Sequence, residues 1–404
     1  MRLEKTAQVV IGAQFGDEGK GRLIDYQAAS VGQDGLVVRF NGGAQAGHTV
    51  VTPDGRRHVF SHIGSGAFAG AATFLSRFFV ANPILFLKEL KTLDELGVKP
   101  TVWIDPASPA TTPYDMMINQ IVERERGGGR HGSCGIGFGE TLERNLNSEY
   151  ALTVDDLADE ALADRLDAIR RDYAPARLAQ LGCGDACFRE AGRFQSDAIL
   201  ERYVEDVRRF LDVAAVIDAQ AAVQNRRILF EGAQGLLLDQ ERGFFPYVTR
   251  SHTGLRNVLA LAGEWGLERL EVTYTTRAYL TRHGAGPLPG ECSEKPYPSV
   301  TDLTNVPNDY QGTLRFAWLD LDLLGSAITA DLSDMNRCPE ISVDPRLAIT
   351  CLDQIGDELA IYRRGGHRCQ SGLESFVAAV TQATDLDKVG LGWGPDRDSI
   401  RGHW

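Results

Sequence analysis

The chain has 404 residues and a formal net charge of −13, from 55 acidic and 42 basic side chains. A chain of this length exceeds what one simple core usually holds, so we expect one large domain with insertions or two domains. The acidic balance argues against a surface that binds nucleic acid, and no apolar run approaches the ~20 residues of a membrane span. We therefore expect a cytoplasmic protein that has neither nucleic acid nor a membrane as a partner.

Short β-rich runs alternate with helical stretches along the chain, which is typical of a mostly parallel sheet covered by helices. The predicted strands are residues 9–12, 36–40, 102–105, 228–231, 270–276 and 347–351, and the predicted helices are residues 22–29, 83–96, 113–125 and 196–225.

Two further segments complete the predicted fold. Residues 51–60 are predicted to form a hairpin that turns at Pro53-Asp54-Gly55. Residues 152–224 are acidic, rich in Ala and Leu and almost without strand signal, so we expect a helical insertion or subdomain there. The predicted fold class is α/β, with a large, mostly parallel central sheet covered by helices, a helical insertion and small antiparallel hairpins.

The segment Gln14-Phe15-Gly16-Asp17-Glu18-Gly19-Lys20-Gly21 lies between the first predicted strand and the first predicted helix. A glycine-rich turn at a helix N-terminus favours phosphate, because backbone N–H groups and the helix dipole attract an anion and Lys20 adds a full charge. The segment is not a Walker A motif, since Gly21 stands where that motif needs Ser or Thr. Two carboxylates beside a phosphate favour a bridging divalent cation or a proton acceptor. A glycine turn capped by acids is the simpler alternative.

A second glycine-rich segment, Asn41-Gly42-Gly43-Ala44-Gln45-Ala46-Gly47-His48-Thr49, follows the second predicted strand and carries one histidine that could act as an acid. Together the two segments resemble the adenylosuccinate synthetase family, whose usual forms read Q-W-G-D-E-G-K-G and G-G-x-N-A-G-H-T. The resemblance recurs in family order at residues 230–235, 246–249, 277–287, 318–320 and 394–397. We therefore treat residues 1–404 as one domain of this kind, with residues 152–224 as a helical subdomain.

The resemblance implies a Mg²⁺-dependent C–N ligase of purine biosynthesis. In this family a nucleoside triphosphate phosphorylates the 6-oxygen of IMP, and the amine of aspartate displaces that phosphate. Carried over by position, Asp17 takes the N1 proton of the purine and contacts Mg²⁺, and the Gly47 carbonyl completes the metal shell. His48 donates to the developing oxyanion, and Lys20 neutralises the transferring phosphoryl group.

The other positions that match the family's sites fall into three sets. The donor nucleotide, GTP or ATP, is expected at Gly16, Glu18, Gly19, Gly21, Arg22, Thr49, Asp331, Asp334, Gly392, Trp393 and Gly394. The acceptor, a purine nucleoside monophosphate, is expected at Gln45, Ala46, Ser133, Arg144, Gln234, Leu238 and Thr249. Aspartate is expected at Gly312, Thr313 and Arg315.

Some of these positions keep a second interpretation. Gln234 is either an acceptor contact or a buried amide that orders its own turn. Arg282 and His283 flank residues 284–287 and either take part in the site or stabilise that turn. The family implies a homodimer whose sites are completed across the interface, after the glycine-rich residues 127–137. Arg144 is the nearest match to the arginine lent by the other subunit, or else a solvated charge on a helix surface.

The chain departs from the family pattern at three places. The family loop G-A-T-T-G-R-x-R-R holds the carboxylates of aspartate, whereas residues 308–317 contain only Arg315, so we expect weaker aspartate binding. Gln45 replaces an asparagine and is one methylene longer. The family's T-K-L-D, which recognises guanine, is replaced near residues 329–334, where Asp331 or Asp334 could accept from guanine.

Three functions fit these residues. The first is a ligase that joins aspartate to IMP. The second is a relative that uses another 6-oxopurine nucleotide such as (d)GMP, another amine, or ATP as the donor. The third is a nucleotide-binding regulator without ligase activity. The presence of Asp17, Lys20 and His48 counts against the third. Relatives that use guanylate tend to have serine in place of the acid at Asp17, which counts against that form of the second, so we expect the first.

Overall fold

A ten-stranded sheet forms the centre of the computed structural model, which describes residues 5–129, 132–301 and 313–403. The strands of this sheet and of two smaller ones are β1 (Thr6–Gly12), β2 (Gly35–Arg39), β3 (His48–Val51), β4 (Arg57–Phe60), β5 (Ala72–Leu75), β6 (Val102–Ile104), β7 (Ala214–Val216), β8 (Arg227–Glu231), β9 (Arg269–Arg277), β10 (Tyr279–Arg282), β11 (Arg315–Asp320), β12 (Ser342–Thr350), β13 (Ala360–Arg364), β14 (His367–Ser371), β15 (Val389–Gly392) and β16 (Ile400–His403).

Helices cover the sheet and build a second layer beside it. They are α1 (Lys20–Val31), α2 (Pro83–Glu95), α3 (Pro113–Glu125), α4 (Phe138–Asn145), α5 (Leu162–Ala168), α6 (Ala174–Gln180), α7 (Gly184–Arg189), α8 (Ala191–Phe194), α9 (Asp197–Leu211), α10 (Ala219–Val223), α11 (Leu255–Glu264), α12 (Leu321–Leu332) and α13 (Leu373–Thr384). A π-helical turn, Ile169–Tyr173, joins α5 to α6. Among the residues that the structure describes, no helix combines the length and apolar character that a membrane crossing requires.

The strand order in the large sheet is β16-β15-β12-β9-β1-β8-β2-β5-β6-β7, and every neighbouring pair is parallel except β15 and β16. The central strands β1, β2 and β8 are almost continuously buried, as parallel strands with helices on both faces must be. The predicted fold class is confirmed. The predicted hairpin is present as β3 and β4, although it begins at His48 and so places the histidine on a strand.

The helix predicted at residues 196–225 is wrong beyond Leu211. The chain there forms the edge strand β7, which pairs with β6, and then the short helix α10. Residues 213–217 read V-A-A-V-I, and the branched side chains favour a strand once a neighbouring strand is available. The predicted helical subdomain is therefore helical except for one strand of the central sheet.

Two large apolar clusters stabilise these layers. One lies against the central sheet around β1, β8, β9 and β12, and the other fills the space among α2, α3, α5, α6 and α9. In the second cluster, the rings of Phe86 on α2 and Phe210 on α9 meet edge to face at 4.9 Å. The residues predicted to form the site lie mainly in loops above the first cluster, at the carboxyl ends of the parallel strands.

Candidate active site

The buried carboxylate of Glu18 stabilises the loop between β1 and α1. Gly16 and Gly19 have φ angles of 96° and 90°, in the left-handed region that glycine enters without steric cost. Glu18 Oε1 accepts hydrogen bonds from the backbone N–H groups of Gln14 (3.0 Å) and Gly16 (2.9 Å), and Glu18 Oε2 lies 2.6 Å from Lys20 Nζ. The fully buried Glu18 carboxylate therefore braces the loop, which leaves the backbone N–H of Glu18 as its group for the predicted phosphate contact.

The start of α1 keeps the features of an anion site. Gly19 provides no side-chain cap, so the first N–H groups of the helix are not consumed by a capping oxygen. Lys20 lies in the same turn, with only 3 % of its surface exposed. A Cβ on Gly21 would come within 2.9 Å of His48 Cβ, so glycine at this position lets the helix approach the histidine. The phosphate loop and the catalytic histidine predicted from sequence are therefore brought into contact.

Asp17 projects from the same loop and is held from two sides. Its φ angle is 63°, its backbone carbonyl accepts from Arg277 Nε, and its Oδ2 lies 2.8 Å from His283 Nε2. Burial alone would raise the pKa of Asp17, but His283, Arg277 and Lys20 together outweigh it and hold the pKa well below its usual range. The carboxylate is therefore ionised, as a proton acceptor or a metal ligand must be. Sequence reasoning left His283 without a defined role.

His48, at the start of β3, forms a buried pair with a glutamate from another strand. Its Nδ1 atom lies 2.6 Å from Glu231 Oε1, at the end of β8, and Glu231 Oε2 accepts from the Ser65 N–H at 3.0 Å. Burial would raise the pKa of Glu231, but His48, Arg39 and Ser65 outweigh it and bring the pKa down to about 2. Burial lowers the pKa of His48, although Glu231 opposes that effect. Glu231 therefore fixes the ring and the tautomer of His48, a role that only the fold reveals.

Two loops that follow β2 and β8 meet where the acceptor nucleotide is expected. Asn41 joins them, because its amide donates to the Ala233 carbonyl (3.0 Å) and its side-chain oxygen accepts from the Ala233 N–H (2.7 Å). Beside this junction, both amide atoms of Gln45 and the Oε1 atom of Gln234 are buried without a hydrogen-bond partner among the described residues. Buried polar atoms are normally paired, so these amides are suited to a polar ligand that completes their bonding.

The remaining predicted acceptor residues lie on neighbouring loops. The Thr249 N–H donates to the Leu238 carbonyl at 2.8 Å, which brings these two residues together. Ser133 donates to Asn119 Oδ1 at 2.9 Å, and the Gly132 backbone packs so closely on Gly284 that an added Cβ would lie 2.9 Å from it. The 132–137 segment thus reaches the turn that carries His283. Thr49 follows His48 on β3, and Ala46 is buried in the preceding turn.

The strand ends of β12 and β15 bring further predicted donor residues to the phosphate loop. Thr350, at the end of β12, donates to the Glu18 carbonyl at 2.8 Å. Gly392 ends the neighbouring strand β15 and packs against Arg22, since a Cβ there would lie 2.3 Å from the guanidinium. Arg22 Nε is buried without a hydrogen-bond partner among the described residues. Trp393 and Gly394 continue from this strand end, so these donor positions are close to the loop.

A motif missed in the sequence lies at the same strand end. Thr350-Cys351-Leu352-Asp353 differs by one residue from the T-K-L-D pattern, whose replacement was predicted near residues 329–334. Burial raises the pKa of Asp353, and the charge of nearby Arg22 opposes the shift. The similarity to T-K-L-D is visible in the sequence at residues 350–353, after β12, whereas the prediction placed the corresponding segment before β12, at the end of α12.

Asp331 and Asp334, predicted to bind the donor base, instead belong to an internal network. Asp331 is fully buried, accepts from the Leu255 N–H (3.0 Å) and the Tyr274 hydroxyl (2.8 Å), and lies 3.3 Å from Arg242 Nη1. Asp334 lies 2.8 Å from the same guanidinium. Burial raises the pKa of Asp331 to about 6. The predicted role in base binding is therefore wrong, because these carboxylates join the start of α11 to α12 and β9.

Arg144, predicted to reach an acceptor nucleotide or to lie on a helix surface, is in the interior. It is completely buried, and its Nε and Nη2 atoms donate to the two carboxylate oxygens of Asp115, each at 2.9 Å. The same guanidinium donates to the carbonyls of Ala110 (2.7 Å) and Tyr150 (2.6 Å). Both predicted roles are corrected, since a saturated buried guanidinium can reach neither solvent nor another subunit.

Arg315, predicted to bind aspartate, is already engaged within the protein. Its Nε atom lies 2.7 Å from Glu291 Oε1, and its Nη1 atom donates to carbonyls in the 284–286 turn at 3.1 and 2.8 Å. Thr313 is exposed just before β11. Gly312 lies outside the described residues. Arg315 thus faces the turn next to His283, but its guanidinium already binds the carboxylate of Glu291.

The metal predicted at this site has a small set of protein donors. Asp17 offers an ionised carboxylate that is 25 % exposed, and Gly47 offers a backbone carbonyl in an exposed turn next to His48. Among the described residues there is no cluster of three or more His, Cys, Asp or Glu side chains that could hold an ion. This sparse set fits Mg²⁺, which commonly takes one or two carboxylates and completes its shell with water and substrate phosphates.

The loops described above follow β15, β12, β9, β1, β8 and β2, which are consecutive in the sheet. In open α/β sheets, ligands bind in the crevice at the carboxyl ends of the strands. A helix N-terminus with a lysine, an ionised aspartate and a histidine–glutamate pair converge there. Fold and site therefore define a nucleotide-binding enzyme of the phosphoryl-transfer type.

Comparisons with known proteins define the family within this class. The model of the adenylosuccinate synthetase family matches residues 9–337. Adenylosuccinate synthetase of Xanthomonas campestris is 33% identical over 326 residues, covering 79% of this chain and 73% of that protein, and the enzyme of Xylella fastidiosa is 32% identical over 325 residues with the same coverage. The chain belongs to the adenylosuccinate synthetase family. The expected enzyme class, a C–N ligase of purine biosynthesis that joins aspartate to IMP, is confirmed.

Solved structures agree on the fold. Fully ligated adenylosuccinate synthetase of Plasmodium falciparum has a TM-score of 0.73 at 19% identity and covers 98% of this chain and 100% of that one. Succinoaminodeoxyadenylate synthetase (PurZ) of cyanophage S-2L, bound to dGMP and dATP, has a TM-score of 0.57 at 18% identity and covers 98% of this chain and 95% of that one.

Proposed function

We propose that this enzyme uses GTP to phosphorylate the 6-oxygen of IMP and then lets the amine of aspartate displace the phosphate. In the first step, the N1 proton of the purine passes to Asp17, the 6-oxygen attacks the γ-phosphorus, and GDP leaves. In the second step, the amine attacks C6, inorganic phosphate leaves, and the amine loses a proton. Each step needs charge stabilisation at oxygen more than new covalent chemistry from the protein.

The observation that carries the proposal is the convergence of an ionised Asp17, buried Lys20 and the His48–Glu231 pair at one edge of the sheet. Asp17 acts as the proton acceptor. Lys20 and the N-terminus of α1 neutralise the transferring phosphoryl group. His48 is held by Glu231 through Nδ1–H, so it donates to the 6-oxygen from Nε2 in its imidazolium form, which the Glu231 carboxylate stabilises while negative charge develops on the oxygen. The buried amides of Gln45 and Gln234 recognise the acceptor nucleotide.

Mg²⁺ is the proposed cofactor, with Asp17 and the Gly47 carbonyl as its protein ligands. When bound, the ion neutralises charge on the phosphates of the donor. We assign recognition of the donor base to Asp353 rather than to Asp331. A carboxylate accepts from the N1 and N2 donors of guanine, whereas adenine does not present that pair, so Asp353 favours GTP over ATP. The homodimer and the cytoplasmic location also remain predictions, and Arg144 is not a candidate for a residue lent across an interface.

The test measures phosphate release from GTP or ATP with IMP, GMP and their deoxy forms, each with and without isotope-labelled aspartate. We expect release to require GTP, IMP and aspartate together, and the label to appear in the nucleotide product. Phosphate release with dGMP and ATP would instead indicate that this protein catalyses the reaction of a succinoaminodeoxyadenylate synthetase. Label that never enters the product, while another amine supports release, would contradict aspartate as the substrate.

A further inference from the structure

The turn after β10 places an imidazole on the carboxylate that acts as proton acceptor. His283 Nε2 lies 2.8 Å from Asp17 Oδ2, although the two residues are 266 positions apart in the sequence. His283 is 28 % exposed and Asp17 25 % exposed, so the contact lies at the wall of the site rather than in the core. An ionised carboxylate only accepts hydrogen bonds, so the imidazole is the donor.

The backbone on both sides of His283 is held in place. Arg282 is 1 % exposed and donates to the carbonyls of Ala285 (3.2 Å), Pro287 (2.8 Å) and Tyr247 (2.9 Å). On the other side, Arg315 donates to the Gly284 carbonyl at 3.1 Å. The imidazole is therefore presented by a turn that two guanidinium groups fix, so it can impose its own orientation on a neighbour.

Asp17 contributes the other side of this contact from the glycine-rich loop between β1 and α1. Its φ angle is 63°, and Arg277 donates to its backbone carbonyl. A short side chain in such a loop can rotate about χ1 and χ2 unless a partner selects one rotamer. Proton abstraction requires the accepting oxygen within hydrogen-bond distance of the proton, so an error of about 1 Å is costly.

We propose that His283 is a positioning residue for Asp17: the hydrogen bond from its Nε2–H fixes the carboxylate so that one chosen oxygen meets the purine N1 proton. The inference rests on the proposed role of Asp17 and adds a residue from the turn after β10 to the same step. In this role His283 acts through Asp17 rather than on the substrate. The alternative is that the imidazole merely stabilises the 284–287 turn.

The experiment compares His283→Leu with His283→Gln, since the glutamine amide can place a donor where Nε2 stood. The readout is phosphate release with both nucleotides and whichever amine the wild-type protein uses, so the comparison does not depend on that amine being aspartate. We expect His283→Leu to lower kcat about 10- to 100-fold, the range typical of groups that orient a reacting carboxylate, with KM for the acceptor changed less than about threefold. His283→Gln should recover most of that loss.

A double-mutant cycle then separates positioning from general stability. In an Asp17→Asn background, His283→Leu should cause less than a further twofold loss, because the group that it positions is already disabled. Binding of Mn²⁺ with both nucleotides, followed by electron paramagnetic resonance, gives a second readout and should weaken in His283→Leu and recover in His283→Gln. His367→Leu, at an exposed histidine of β14, is the matched control and should leave both readouts unchanged.

Two results would overturn the proposal. One is equal activity of the Leu and Gln variants, and the other is the same fold-loss from His283→Leu with and without Asp17→Asn. If the wild-type protein releases phosphate but uses a different amine, the proposed function fails in its substrate while the cycle still tests the coupling. If His283→Leu does not fold, His283→Gln alone tests the proposal. A kcat lowered 10-fold or more in His283→Gln would then contradict it, because the glutamine amide would have failed to replace the imidazole as hydrogen-bond donor.

Discussion

Two buried ion pairs in this protein differ in how many hydrogen bonds each of them makes inside the fold. His48 and Glu231 lie at the edge of the central sheet, and Arg144 and Asp115 lie between α3 and α4, and none of the four is more than 6 % exposed. Glu231 binds His48 through Nδ1 alone, whereas the Arg144 guanidinium meets both oxygens of Asp115 and two carbonyls. A pair with its bonding saturated inside the protein stabilises the fold. A pair that leaves bonding capacity toward a crevice can act on a ligand.

The largest effect on catalysis is expected at Asp17, which lies in the same proposed site as the His48–Glu231 pair. We expect Asp17→Ala to lower kcat by about 10³-fold or more, since it removes the proton acceptor and a charge next to the phosphates. The thermal unfolding midpoint should fall little, because the side chain is partly exposed and lies in a loop. Steady-state kinetics and calorimetry on the same preparation check both parts. Near-normal turnover would refute the mechanism.

The structural side is tested at Asp115. Asp115→Ala leaves the Arg144 guanidinium buried without its carboxylate, so we expect the free energy of unfolding to drop by about 3–5 kcal/mol. The protein that remains folded should keep its KM for IMP. Denaturant titration measures the loss, and Glu205→Ala, which breaks an exposed pair with Arg202, serves as the control with an expected change below about 1 kcal/mol. A selective loss of IMP affinity would return Arg144 to the acceptor site.

His48 provides the matching test for the unsaturated pair. His48→Asn should lower kcat by about 10²-fold, because its hydrogen bond strengthens only as charge develops on oxygen. The KM for the acceptor should change little. Glu231→Gln should lower kcat in the same direction with a smaller loss, since the ring keeps a partner but loses the charge beside it. A His48 variant that lost acceptor affinity alone would indicate a binding role.

Arg315 is intermediate between the two pairs in how fully the protein satisfies its hydrogen bonds, and its substitution should have the smallest effect on activity. It is paired with Glu291 but partly exposed beside the 284–286 turn. We expect Arg315→Leu to raise the KM for aspartate about tenfold, as for the loss of one charge-assisted contact. Glu291→Gln should leave that KM within about threefold of wild type. Unchanged aspartate kinetics in Arg315→Leu would show that another group binds the amine donor.

Much of the site could be predicted from local pattern. The glycine-rich turn after a strand predicts a phosphate loop, because glycine conformation and helix N-terminal N–H groups are properties of residues that are neighbours in the sequence. Strands β1, β2 and β8 could be predicted for the same reason, since short apolar runs mark buried parallel strands. The predicted helix beyond Leu211 failed because pairing with β6, a neighbour distant in sequence, selected a strand there.

The sequence by itself determined the fold class and the family, and it predicted Asp17, Lys20 and His48 as residues of the site. Only the tertiary structure decided what each charged residue faces. Glu18 bonds to its own loop, Arg144 bonds to Asp115, and Asp331 bonds to Arg242 and Tyr274. His283, in the turn after β10, contacts Asp17. Hydrogen bonds and ion pairs act over a few ångströms, so their partners are set by how the strands are ordered in the sheet, and spacing along the chain does not encode that order.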